Sequence, residues 1–219
     1  MTVEAVVFDL DGVLVDSEPV WEAVRRDFVA ENGGRWRSDS QQRLMGMSTA
    51  EWARYLVTDL GVGGMSPEEV ADAVVEQMAE RYEEAVPLLP GAAAAARLLA
   101  SHWPLGLASS SPRRLIDVVL DHAGLAALFT AIVSTDEVGR GKPAPDVYQQ
   151  ATARLGFGTR RCVAVEDSTN GLRAACAAGM EVVAVPRPAY PPDADALACA
   201  SLVLNSLEEL TPEMVARLA

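Results

Sequence analysis

The chain has 219 residues, a hydrophobic share of 50%, a charged share of 22% and a formal net charge of −13. That length buries a full core, and the acidic balance argues against nucleic acid or an anionic membrane as partner. No apolar stretch approaches the ~18 residues of a membrane span and the N-terminus lacks a basic-then-apolar leader, so a cytoplasmic protein is expected, a monomer or weak homodimer. Cys162, Cys176 and Cys199 show no metal-ligand spacing and read as small core residues of a reducing compartment.

Ala5 to Phe8 reads as a short buried strand that runs into Asp9-Leu10-Asp11-Gly12, with Gly12 as the turn. Strand alternation sends Asp9 and Asp11 to one side. Two carboxylates at ~4 Å and an effective dielectric of ~20 repel by about 4 kcal/mol, so a cation is expected beside them. A region without strands follows. Val20, Trp21, Val24 and Phe28 have helical spacing behind Pro19, and Gly33-Gly34 ends the pattern. Ser48 to Glu51 and Ser66 to Glu69 are capping boxes. Behind them run the stripes Trp52, Tyr55, Leu56, Leu60 and Val70, Val74, Met78, Tyr82. These stripes read as the core of a helical module over 17–85.

From Leu88 onward strands and helices alternate. Strands are expected at 105–108, 131–133, 162–165 and 182–185, with a last edge strand at 201–204. Helices are expected at 112–122 starting on Ser111, at 146–155, and at 170–178 closed by Gly179. Alternation of this kind means a doubly wound parallel α/β sheet. The first strand belongs to it, so the core is 1–16 with 86–219 and the helical module is an insertion.

Ligands of such a sheet sit beyond the carboxyl ends of its strands. Four strands lead to chemistry there: Asp9 and Asp11, then Ser109-Ser110-Ser111, then Lys142 between Gly141 and Pro143, then Glu166-Asp167. Four carboxylates at one edge make a hard-oxygen site suited to Mg²⁺. His102 and His122 lie near helix ends and complete neither a zinc site nor a Ser-His-Asp triad. A metal beside a carboxylate nucleophile, an ammonium and a hydroxyl is what phosphoryl transfer needs.

On Asp9-Leu10-Asp11-Gly12-Val13-Leu14-Val15-Asp16-Ser17-Glu18, Leu107 to Ser111, Gly141 to Asp146 and Val165 to Ser168, the chain resembles the haloacid dehalogenase superfamily over its whole length. The resemblance implies a Rossmann-like core with an α-helical cap at 17–85 that chooses the substrate. It implies Asp9 as nucleophile, Asp11 as acid and base, and Ser109 and Lys142 as phosphoryl ligands. Mg²⁺ would be held by Asp9, the Asp11 backbone carbonyl and Asp167, with Glu166 in or next to that shell. Asp16 is read as part of the hinge. Asp11 speaks against a dehalogenase, because a halide leaving group needs no proton. A sugar phosphomutase resembling β-phosphoglucomutase would carry a His and a cap Arg where Trp21 and Thr49 (in Gly46-Met47-Ser48-Thr49) stand. Asp11 likewise argues against a non-catalytic phospho-acceptor module. The expectation is a Mg²⁺-dependent phosphatase of a small phosphorylated metabolite, most simply a sugar phosphate. Ser110, Ser111 and Arg113 are expected on the substrate, Arg113 because a cation at a helix N-terminus asks for an anionic partner.

Overall fold

The computed structural model describes residues 2–44 and 47–218. The chain divides into two compact units, Met1–Asp16 with Val86–Ala219, and Ser17–Ala85.

The first unit is a six-stranded, all-parallel sheet of β1 (Ala5–Phe8), β2 (Leu105–Ser109), β3 (Phe129–Ser134), β4 (Cys162–Glu166), β5 (Glu181–Ala184) and β6 (Leu202–Val203). The spatial order is β3-β2-β1-β4-β5-β6, and every paired strand runs parallel. Every residue of β1, β2 and β4 is buried, as a parallel sheet covered on both faces requires. Ala5 and Val7 of β1 and Cys162 and Ala164 of β4 share one apolar cluster. It also takes in Val147, Tyr148 and Ala151 of a helix at Asp146–Leu155, Leu172 and Ala175 of another at Thr169–Ala177, and Ala196 of a short one at Ala194–Leu197. Phe8 lies level with Leu107 and with Val165 in register. The carboxyl ends of β2, β1 and β4 therefore share one edge.

Elements differ from the expected bounds by a residue or two, with β2, β3 and β4 longer, β5 shifted by one and β6 shorter. β3 runs two residues earlier and one later, ending on Ser134. The helix after β2 begins at Arg113, with Pro112 rather than Ser111 before it, because the Ser111 hydroxyl is engaged elsewhere. The cysteine reading needs correction. Cys176 and Cys199 form a disulfide, with Cα atoms 6.4 Å apart. Packing of Thr169–Ala177 beside Ala194–Leu197 brings together two residues 23 apart in sequence. Cys162 is the free, buried thiol. Among the described residues no helix is long and apolar enough to cross a membrane.

The second unit contains helices Glu18–Glu31, Ser40–Leu44, Thr49–Thr58 and Pro67–Glu84. Both expected capping boxes are present, with the Ser48 and Ser66 N–H groups donating to Glu51 and Glu69 at 2.8 and 2.7 Å. The apolar stripes form a core of Val24, Phe28, Trp52, Leu56, Val70, Val74, Met78 and Tyr82, all buried. The Arg25 guanidinium lies over the rings of Trp21 and Trp52, at 4.3 and 4.9 Å from their centroids, a cation–π arrangement that explains a buried arginine here. Of Gly46-Met47-Ser48-Thr49, Gly46 lies outside the described residues. Thr49 opens a helix and Trp21 belongs to this core.

Candidate active site

The strand order reverses between β1 and β4, and a doubly wound sheet opens its ligand crevice at such a point. Asp9 follows β1 directly, and its N–H donates to the Val165 carbonyl at 2.9 Å, which fixes it against the end of β4. The turn behind Asp9 closes on Gly12 at φ +77°, where a Cβ would collide with the Asp167 carboxylate. Gly12 is therefore required twice, by its backbone angle and by the close approach of Asp167.

Lys142 enters from the loop after β3. Its ammonium lies 2.9 Å from Asp9 Oδ1 and 2.7 Å from Glu166 Oε1, and all three side chains are almost wholly buried. Glu166 is surrounded by donors. Oε1 accepts from Lys142 Nζ and from the Tyr148 hydroxyl at 3.0 Å. Oε2 accepts from the N–H groups of Asp167 and Ser168 and from the Ser168 hydroxyl, at 2.8, 3.0 and 3.1 Å. Burial alone would raise the Glu166 pKa, but Lys142 and these donors outweigh it and hold the carboxyl below its usual range. Burial works against the charge on Lys142 too, yet Asp9 and Glu166 keep it protonated well above the usual lysine range.

Asp9 and Asp167 have the opposite balance. Burial pushes Asp9 up to about 8, relieved by Lys142 and reinforced by Glu166 and Asp11. Burial, then Glu166 and Asp9, push Asp167 well above the carboxylate range. Its Oδ1 is buried without a hydrogen-bond partner. Asp9, Glu166 and Asp167 each offer an oxygen within 4.8 Å of the others. Three carboxylates against one ammonium would leave two negative charges in a buried site if all three were ionised. That donor set and that deficit fit a hard divalent cation. Because the oxygens of Glu166 are already engaged, Asp9 and Asp167 are the freer donors.

Asp11 stands apart from this cluster, so three carboxylates gather where four were expected. Its Oδ2 accepts from the hydroxyls of Ser111 at 2.7 Å and Ser109 at 3.3 Å. Ser109 Oγ in turn accepts from the Ser111 N–H at 2.9 Å. Ser110 is exposed, and its carbonyl accepts from the Thr135 hydroxyl at 3.4 Å. Arg113 finds its anionic partners within the chain, Asp117 at 2.8 Å and Glu137 at 3.7 Å. Both histidines are exposed and lie outside the site. Tyr148 is the participant that the sequence reading passed over. Its position on the buried stripe of its helix, six residues after Lys142, hides a polar role inside an apolar pattern.

Residues 3–179 match the family model of the haloacid dehalogenase-like hydrolases. The chain belongs to this family. Among haloacid dehalogenase-like relatives, hexitol phosphatase B of Escherichia coli is 37% identical over 213 residues, covering 94% of each chain. The phosphorylated carbohydrates phosphatase of Thermotoga maritima is 36% identical over 181 residues, covering 81% of this chain and 82% of the relative. The crystal structure of CbbY from Rhodobacter sphaeroides in complex with phosphate superposes with a TM-score of 0.84 at 28% identity, covering 95% and 96% of the two chains. Each of these is a protein that the chain resembles over most of its length.

Proposed function

We propose that this haloacid dehalogenase-like hydrolase is a Mg²⁺-dependent phosphatase of small phosphorylated carbohydrates that works through an aspartyl-phosphate on Asp9. The observation that carries the reading is the Asp9–Lys142–Glu166 chain at the switch point of the sheet. The relatives named for phosphorylated carbohydrates support the substrate class. A carboxylate oxygen of Asp9 attacks phosphorus, and the bond from phosphorus to the leaving oxygen breaks as Asp11 gives that oxygen a proton. Water then attacks the acyl-phosphate, Asp11 takes its proton, and the bond between Asp9 and phosphorus breaks to release inorganic phosphate. Lys142, held on Glu166, neutralises charge on Asp9 and on the transferring group. Ser109 donates to that group once its hydroxyl leaves Asp11. Mg²⁺, held by Asp9, Asp167 and the Asp11 carbonyl, would supply the remaining positive charge and keep Asp9 ionised.

Asp9→Asn removes the nucleophile while keeping its size. Release of inorganic phosphate from a panel of hexitol and hexose phosphates should fall by roughly 10⁴-fold or more, with circular dichroism unchanged. Excess chelator should silence the wild type. A hexose 1-phosphate given with a bisphosphate activator should release phosphate rather than accumulate the 6-phosphate. Full turnover by Asp9→Asn, or in chelator, would end this reading.

A further inference from the structure

Tyr148 lies on the first turn of Asp146–Leu155, fully buried, and shares an apolar cluster with Val7, Ala108, Val133, Val147, Ala151 and Ala164. Phenylalanine would fill the same volume, and a hydroxyl placed among apolar groups is unfavourable unless it is hydrogen-bonded. The hydroxyl donates to Glu166 Oε1 at 3.0 Å, the same oxygen that accepts from Lys142 at 2.7 Å. The ring of Tyr148 lies under the lysine as well, its centroid 5.0 Å from Nζ. The ammonium is thus bounded by Asp9, by Glu166 and by an aromatic face. One residue supplies that face and also fixes the carboxylate. The backbone behind Tyr148 is held in turn, since the Thr152 hydroxyl donates to the Tyr148 carbonyl at 3.0 Å.

We propose that Tyr148 is a positioning residue for hydrolysis: through Glu166 it sets where the Lys142 ammonium stands relative to Asp9. This rests on the reading of Asp9 and Lys142 given above. A carboxylate oxygen shared between a phenol and an ammonium has a fixed orientation. With the phenol removed, Oε2 stays on its Asp167 and Ser168 donors, but Oε1 loses the donor that opposes Lys142, so it can swing about the Oε2 end and carry the ammonium away from Asp9. The loss falls on the chemical steps, in which charge passes from Asp9 to the transferring phosphoryl and returns to Asp9 when water releases the phosphate. Binding of the rest of the substrate is untouched.

The test compares wild type, Tyr148→Phe, Glu166→Gln, the double variant and Lys142→Ala at saturating Mg²⁺, with p-nitrophenyl phosphate and a hexose phosphate as substrates. Tyr148→Phe should lower kcat about tenfold on both, equivalent to ~1.4 kcal/mol, with KM within about twofold and the fold retained. In the Glu166→Gln background the same change should lower kcat by less than about twofold, because the link runs through that carboxylate. A wild-type kcat in Tyr148→Phe, or an undiminished tenfold loss on top of Glu166→Gln, would overturn the assignment. Should the Phe variant fail to fold, 3-fluorotyrosine at 148 keeps ring and hydroxyl but strengthens the donor. A kcat moved at least about twofold then supports the positioning role, and an unchanged kcat overturns it. Lys142→Ala separates the two levels. If it stays fully active, the catalytic reading itself fails. If it is inactive while Tyr148→Phe matches wild type, the role of Tyr148 alone fails.

Discussion

Ser111 and Asp11 show how a single hydroxyl decides what a carboxylate is free to do. The Ser111 hydroxyl holds Asp11 Oδ2 at 2.7 Å, and Ser109 holds the same oxygen more loosely at 3.3 Å. The second aspartate therefore waits on the β2 side of the site, on a hydroxyl that a phosphoryl group would use. Charge-assisted hydrogen bonds of this kind contribute about 1.5–3 kcal/mol. Ser111→Ala removes the shorter one and leaves Asp11 less well aimed at the leaving oxygen. Turnover of a hexose phosphate, whose alkoxide needs a proton, should fall about five- to tenfold. Turnover of p-nitrophenyl phosphate should fall less, because its leaving group departs as an anion without a proton and only the shared hydrolysis of the acyl-phosphate then calls on Asp11. Comparing kcat for the two substrates checks this. Equal losses on both would mean that Ser111 does not serve the proton given to the leaving oxygen.

At the scale of elements, the helix Thr169–Ala177 gives the clearest case of backbone serving chemistry. Ser168 caps it, accepting from the Gly171 N–H at 3.1 Å. A Cβ on Gly171 would fall on the Glu166 carboxylate. At an ordinary helix position, Gly→Ala stabilises by about 1 kcal/mol. Here the sign should reverse, with Gly171→Ala lowering the melting temperature and driving Glu166 off Lys142, so that kcat falls about tenfold or more. A thermal melt alongside steady-state kinetics checks both halves. Gain of stability with unchanged kcat would mean that Glu166 moves aside freely. The capping boxes at Ser48 and Ser66, the apolar runs of β1 and β4 and the stripe Val70, Val74, Met78 were legible in the sequence, because local periodicity and caps fix such features. So was the arrival of Asp9, Ser109, Lys142 and Glu166 at one sheet edge, since parallel topology dictates it. The rest depended on tertiary neighbours. Ser111 reads as a helix cap until β2 sets it beside Asp11, and Tyr148 reads as core until Glu166 is found above it. Arg113 is expected on the substrate from its place at a helix N-terminus, whereas the fold gives it Asp117 and Glu137 as anionic partners. Cys176 and Cys199 carry no spacing signal, and helix packing alone makes them neighbours.

For the whole molecule, the question is how a chain of net charge −13 keeps three of its carboxylates buried together at the edge of the sheet. Lys142 offsets one of them, and the remaining strain shows in the raised Asp9 and Asp167. The folded pKa of Asp9 is about 8 against an ordinary value of 3.8, so between those values the metal-free folded state binds more protons than the unfolded state. By linkage, unfolding free energy then falls as pH rises through that window, and the shift of Asp167 adds to it in the same direction. Glu166 is lowered, so its contribution is lost only as pH falls below the ordinary range of a glutamate, outside the interval from about 5 to 8. A divalent cation on Asp9 and Asp167 substitutes for those protons and should flatten the dependence. The rise in melting temperature on adding Mg²⁺ should therefore be small near pH 5 and grow steadily toward pH 8. General screening of an acidic surface would also help at high pH, but it would act equally on a variant without the site. Asp9→Asn combined with Asp167→Asn should be more stable than wild type in chelator at pH 8 and should lose the Mg²⁺-dependent gain. Thermal melts with Mg²⁺ or with chelator from pH 5 to 8 read this directly. A gain that is constant across pH, or one that survives in the double variant, would place the cation somewhere other than between Asp9 and Asp167.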